Sequence, residues 1–190
     1  MPDIIRTFIA FKLPKNIISS ISEIQNRFKS YAFNARWVNP ENIHLTLKFL
    51  GDINYTDIEK VSETIINAVN SHTPVSLAVK GAGVFPGIKR PRVIWVGLTG
   101  EIEKLTGIQN DIEENLEELG FPREKRPFRG HLTLGRIKEK INPKKLLDAI
   151  KKFEKFESEL FIVDKIFLFK SDLKSTGSIY TELMGKRLSG

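Results

Sequence analysis

The tetrapeptide His-Leu-Thr-Leu occurs twice in this chain, at 44–47 and again at 131–134. Both copies fall in runs of strand character, 43–50 and 131–138, and each run is followed by a strand end and then a helical pattern. One strand repeated in the same setting, nearly half the chain apart, is the pattern that two related lobes would give. Side chains alternate between the faces of a strand. In each copy the histidine and threonine therefore share one face, and the two leucines share the other. The leucines can pack on helices, which leaves two imidazoles and two hydroxyls on polar faces. A pseudo-twofold arrangement of the lobes would set them across one cleft.

The rest of the chain reads as a mixture of strands and helices. Residues 6–12 form a buried strand, and Pro14 stands where a helix over 15–29 would begin. Ile17, Ile21, Ile24 and Phe28 give that helix its apolar face. A short strand over 35–38 is broken by Asn39-Pro40. Thr56-Asp57-Ile58-Glu59 has the pattern of a capping box, and Ile58, Val61, Ile65 and Val69 carry the helix behind it to about Asn70. Strands follow at 75–84 and 92–98, joined by Phe-Pro-Gly-Ile-Lys-Arg-Pro. The glycines from Gly81 to Gly87 lack the lysine spacing of a phosphate loop and read as a turn. A third helix carries Ile102, Leu105, Ile112, Leu116 and Leu119 and stops at Gly120. Asn142-Pro143 reads as an N-cap and first-turn proline for a helix bearing Leu146, Leu147, Ile150 and Phe153. Strands at 160–169 and 179–183 end the pattern. Strands that neighbour one another as hairpins, rather than alternating strictly with helices, point to an α+β fold. The expected architecture is antiparallel sheets packed against helices. Residues 1–190 read as one such domain.

The 190 residues include 30 Lys and Arg, 23 Asp and Glu and no Cys, a formal net charge of +7. The missing cysteine excludes disulfides, thiolate metal sites and a cysteine nucleophile. The positive balance favours an anionic partner such as RNA or a nucleotide. Two stretches concentrate it: Lys89, Arg90 and Arg92, and then Arg123, Lys125, Arg126 and Arg129, just before the second His-Leu-Thr-Leu. Asp3, Arg6 and Lys12 interrupt the apolar N-terminus, so it does not read as a signal peptide. No apolar run reaches membrane-spanning length. The expectation is a cytoplasmic monomer with no membrane partner. The third histidine, His72, lies in a polar Asn-Ser-His-Thr-Pro stretch and reads as solvated.

Two imidazoles on facing strands suit phosphodiester cleavage. One proton must leave the attacking nucleophile and another must reach the leaving oxygen. Histidine titrates near neutrality, so one ring can act as base while the other acts as acid. A threonine hydroxyl beside each can hydrogen-bond the non-bridging phosphate oxygens. Zinc shared by the two histidines is the competing reading, but no cysteine or flanking carboxylate completes a ligand set. The scheme calls for no metal and no cofactor.

Several stretches together make a family resemblance: RTFIAFKLP, NIHLTLKFLGD, GVFP followed by RVIWVGL, RPFRGHLTLGRI and the C-terminal IYTEL. The chain resembles the two-histidine (2H) phosphoesterase superfamily, in particular its branch of 2'-5' RNA ligases and RNA 2',3'-cyclic phosphodiesterases, almost end to end. The resemblance implies a bilobal α+β fold, two pseudo-twofold-related lobes of antiparallel sheet with outer helices around a central cleft, and hydrolysis of a 2',3'-cyclic phosphate to a 2'-phosphate, accompanied in some members by weak, reversible 2'-5' RNA ligation. It implies catalysis by His44 and His131, with Thr46 and Thr133 on the phosphate. His44 is cast as the acid for the leaving 3'-oxygen and His131 as the base for water, although the residues alone equally allow the reverse. It also brings Phe49 and Arg136 near the site, yet strict alternation puts both on the leucine face, so direct contact requires a bend. Arg126, in the basic stretch, is a further candidate for substrate binding. Gly130 stands where relatives often have proline. Two other readings remain open: a nucleotide- or RNA-binding module without turnover, and a phosphodiesterase for small cyclic nucleotides.

Overall fold

The computed structural model describes residues 4–175 and 177–189. In chain order its elements are β1 (Ile4–Phe11), α1 (Lys15–Lys29), β2 (Ala35–Trp37), β3 (Leu45–Asn54), α2 (Ile58–Val69), β4 (Val75–Phe85), β5 (Val93–Gly100), α3 (Ile102–Glu117), β6 (His131–Ile137), α4 (Pro143–Lys151), β7 (Phe161–Val163), β8 (Lys165–Lys174) and β9 (Gly177–Arg187). The strands form two antiparallel sheets, one in the order β3-β1-β8-β9 and the other in the order β2-β6-β5-β4-β7. The expected α+β class and the two repeated halves are both present.

The apolar spacing read from the sequence is what the helices bury. Ile17, Ile21, Ile24 and Phe28 of α1 are buried, as are Val61, Ile65 and Val69 of α2 and Leu105, Ile108, Ile112 and Leu116 of α3. They pack with Leu45, Leu47, Leu132 and Leu134, so both leucines of each tetrapeptide lie in the core. α4 is capped as expected: the Asn142 Oδ1 accepts the backbone N–H groups of Lys144 at 3.0 Å and Lys145 at 3.3 Å. On the opposite face of the first sheet, Phe8, Ala10, Phe167 and Phe169 form a separate apolar cluster with Tyr180 against it.

Four sequence expectations are corrected. The Thr56–Glu59 capping box does not form: a 3-10 turn occupies Tyr55–Asp57, and α2 starts at Ile58 with no side-chain cap. Gly81–Phe85 is strand rather than turn. Gly81, with a positive φ of 64°, lies at a register shift between Lys80 and Ala82 that lets β4 bulge and run on. The strand expected over 160–169 is two strands, separated at Asp164, and they join different sheets. His72 is not simply solvated. Its Nε2 lies 2.6 Å from the Asp111 Oδ2, tying the stretch before β4 to α3.

Candidate active site

The strands β3 and β6 approach each other where the two sheets meet. A cleft of about 730 Å³ opens there, and His44, Thr46, His131 and Thr133 all line it. The sequence alone predicted this convergence.

Each imidazole is fixed in the same way. The His44 Nδ1–H donates to the carbonyl of Asn42 at 2.7 Å, and the His131 Nδ1–H donates to the carbonyl of Arg129 at 2.7 Å. A carbonyl oxygen only accepts, so the proton sits on Nδ1 and Nε2 is left to face a substrate. Aromatic rings hold each ring from the side. Phe8 stacks on His44 at 4.7 Å between centroids, and Tyr180 meets it edge-on at 5.2 Å. Phe85 meets His131 edge-on at 5.0 Å, and Trp95 at 6.4 Å. Gly83 makes room for this support, since a Cβ there would come within 2.4 Å of the Trp95 ring. The Asn42 side chain donates to the carbonyl of Ser178 at 2.7 Å, so β9 is tied to the residue that orients His44.

Burial pushes the His44 imidazole below its ordinary value. The bond to the Asn42 carbonyl opposes that shift, and the nearby His131 adds to it. His131 is lowered for the same first reason; the Arg129 carbonyl opposes and the Arg136 charge reinforces the lowering. An anion between the rings would raise both.

Phe49 and Arg136 also line the cleft, against strict alternation, and the bend that brings them there is visible in the register. Along β3, Ala10 pairs with Thr46, Ile9 with Lys48 and Phe8 with Phe49, so Leu47 is one residue extra. Leu47 and Lys48 both turn inward, and Phe49 returns to the histidine face. Along β6, Trp95 pairs with Thr133, Ile94 with Gly135 and Val93 with Arg136, so Leu134 is the extra residue. Arg136 returns in the same way. A β-bulge at the fourth residue of each tetrapeptide thus re-aims the fifth residue after each histidine into the site.

Arg126 is not among the residues around the cleft; it is exposed, and its backbone N–H lies 3.4 Å from the Glu124 Oε1. None of Lys89, Arg90, Arg92, Arg123, Lys125 and Arg129 lines it either. Arg123 instead pairs with Glu114 and Glu117 of α3. The basic residues that do line the cleft are Arg6, Lys29, Arg36 and Arg136. Of these the sequence reading singled out only Arg136. The others are spread over β1, α1 and β2 with no local run of charge to mark them.

Beneath the site lies a buried charge cluster that the sequence did not reveal. Lys48, 7% exposed, pairs with Glu113 of α3, 6% exposed, and donates to the carbonyl of Pro122 at 2.9 Å. Glu113 also accepts from the Gln109 Nε2 at 3.0 Å and from the Glu124 backbone N–H at 3.2 Å. The strand that follows His44, β3, is thereby bound to the segment that leads to His131. Among the described residues, no group of three or more His, Asp or Glu comes together as a metal site. No helix among them is long and apolar enough to cross a membrane.

The repeat seen in the tetrapeptides extends to whole halves of the chain. The family model described as LigT like phosphoesterase matches twice, over 11–95 and over 96–180. A protein of Methanocaldococcus jannaschii named RNA 2',3'-cyclic phosphodiesterase is 39% identical over 175 residues, covering 92% of this chain and 96% of the relative. One of the same name from Methanothermobacter thermautotrophicus is 32% identical over 184 residues, covering 97% and 99%. Among solved structures, that of TT0787 from Thermus thermophilus superposes with a TM-score of 0.80 at 24% identity, covering 96% of this chain and 97% of the other. The structure of E. coli LigT complexed with 3'-AMP has a TM-score of 0.78 at 24% identity, covering 98% and 99%. With one family model repeated over both halves, and relatives above 30% identity along nearly the full length, the chain belongs to the LigT-like (2H) phosphoesterase family.

Proposed function

We propose that residues 1–190 act as one bilobal domain that hydrolyses the 2',3'-cyclic phosphate at the end of an RNA to a 2'-phosphate, with no divalent metal. The observation that carries the reading is the matched pair of cleft-lining imidazoles, each locked through Nδ1 to a backbone carbonyl two residues back, where β3 and β6 begin. In this scheme the His131 Nε2 takes a proton from water, and the water oxygen attacks phosphorus. The P–O3' bond breaks as the His44 Nε2–H delivers its proton to O3'. The products are a 3'-hydroxyl and a 2'-phosphate, and solvent returns the two rings to their starting states. Thr46 and Thr133 donate to the non-bridging oxygens as charge builds on them. With an RNA 5'-hydroxyl in place of water as the nucleophile, the same path joins two RNA ends through a 2'-5' bond and leaves a 3'-hydroxyl.

The name RNA 2',3'-cyclic phosphodiesterase carried by relatives at 32–39% identity supports this substrate. The positive lining of the cleft supports an anionic one in general. The test is to incubate the protein in EDTA with an oligonucleotide ending in a 2',3'-cyclic phosphate, and in parallel with a 3',5'-cyclic mononucleotide. The expected result is a 2'-phosphate from the first and no turnover of the second. A 3'-phosphate product, or activity that vanishes in EDTA and returns with zinc or manganese, would sink the scheme.

A further inference from the structure

Gln25 of α1 is fully buried, where a polar side chain needs partners. Its Nε2 donates twice, to the carbonyl of Val38 at 2.7 Å and to the carbonyl of Leu134 at 3.0 Å. Both groups only accept, so the amide nitrogen, not the oxygen, faces them. The Oε1 on the other side has no partner among the described residues. An unpaired buried oxygen is costly, and here it accompanies two donations to backbone that shapes the cleft. Leu134 is the extra residue of the β6 bulge that returns Arg136 to the histidine face. Its carbonyl also accepts the backbone N–H of Val38 at 2.9 Å, so Gln25 and the residue after β2 grip the bulge together.

A repulsion opposes this grip. Arg36 of β2 stands directly opposite Arg136, and like charges so paired push apart. β2 is only three residues long and lies at the sheet edge. Among the described residues no carboxylate forms an ion pair with Arg136, so its aim depends on the backbone that carries it. The other half of the chain has a counterpart. Ile24-Gln25-Asn26 recurs as Ile108-Gln109-Asn110. Gln109, also buried, donates to Glu113, which pairs with Lys48 beside the β3 bulge. Each bulge is thus tied by a helix of the opposite half. Resting on the function proposed above, we propose that Gln25 is a positioning residue for the reaction: it does not meet the substrate, but by holding the Leu134 bulge it keeps Arg136 aimed at the phosphate site. Gln25→Met leaves the Val38 carbonyl without this donor in the core and frees the bulge to relax into regular pairing. Regular alternation turns Arg136 away from the cleft.

Two readouts separate this role from a merely structural one. The first needs no turnover: NMR titration of the His131 ring in the free protein. Burial is the main cause of its lowered value, and the Arg136 charge adds to it. Arg136→Ala is expected to move the titration upward. Gln25→Met is expected to move it the same way, and to add nothing in the Arg136→Ala background. The second readout is kcat/KM on uridine 2',3'-cyclic phosphate. It is expected to fall about tenfold or more in Gln25→Met, and to fall no further when that change is added to Arg136→Ala. Gln25→Asn keeps an amide on a shorter arm and is expected to give part of both effects; it carries the test if Gln25→Met does not fold. Ile21→Val, a core change in the same helix, is expected to lower the urea midpoint and leave His131 unmoved. An unmoved His131 in the folded Gln25 variants overturns the proposal. So does an equal shift in Ile21→Val, or a Gln25 effect that persists at full size in the Arg136→Ala background. A wild-type protein that does not turn over the cyclic phosphate refutes the reaction proposed above, whereas the His131 titration decides whether Gln25 holds Arg136.

Discussion

His44 and His131 carry the same hydrogen bond to a carbonyl two residues back, and partial burial, which withholds water from the charged form, holds both below the ordinary histidine value. The free protein therefore holds both rings largely neutral at pH 7, and the singly protonated pair that the reaction needs is most populated on the acid side of 6.5. The pH profile of kcat/KM on a 2',3'-cyclic mononucleotide is expected to be a bell with its maximum below 6.5. A maximum above pH 7 would mean that the rings are not desolvated as described. Stability follows the same sign. A ring with a lowered folded pKa costs nothing above the unfolded value, and stability drops as pH falls from there through the folded value. His-x-Thr was legible in the sequence because two scarce, reactive residues recur in one strand context. Phe8, Phe85, Trp95 and Tyr180, which hold the imidazoles, were not legible as such. Buried aromatics in strands usually mean core, and only pairing across strands shows which ring meets a histidine.

At the level of strands, the periodicity of two that located His44 and Thr46 also misplaced Phe49 and Arg136. The bulges at Leu47 and Leu134 each insert one residue and reverse the alternation downstream. A bulge is a property of two strands together, so one strand's sequence gives it no clear mark. Helix limits were better read, because apolar spacing and caps are local: α1 runs over the residues its isoleucines implied, and Asn142 caps α4. The Lys48–Glu113 pair joins strand to helix far along the chain, and nothing near Lys48 announces it. Glu113→Leu strands a buried ammonium group and is expected to cost about 3–5 kcal/mol of stability in urea unfolding. Lys48→Met combined with Glu113→Leu is expected to recover most of that loss, because an apolar pair replaces an ion pair whose desolvation was itself costly. A single-variant loss under about 1 kcal/mol would show the pair to be solvated.

Across the molecule, the net charge of +7 pointed to a positive surface, but the sequence misjudged which charges meet the cleft. The dense runs at 88–92 and 123–129 lie elsewhere, and Arg123 is taken up by α3. Arg6, Lys29 and Arg36 are scattered in sequence and gathered only by the packing of the two sheets. Two halves that each match one family model bring one His-x-Thr apiece, so neither half is expected to act alone. The most direct test is the single-turnover rate, in EDTA, on an oligonucleotide with a 2',3'-cyclic phosphate end, for His44→Ala, His131→Ala and the double variant. Each single change is expected to slow turnover by about 10²-fold or more. The double variant should be little slower than the worse single one, because acid and base act as a unit. The threonine variants Thr46→Ala and Thr133→Ala should lose less than either histidine variant. Near-wild-type turnover by either histidine variant, with its fold intact, would contradict acid–base catalysis by this pair.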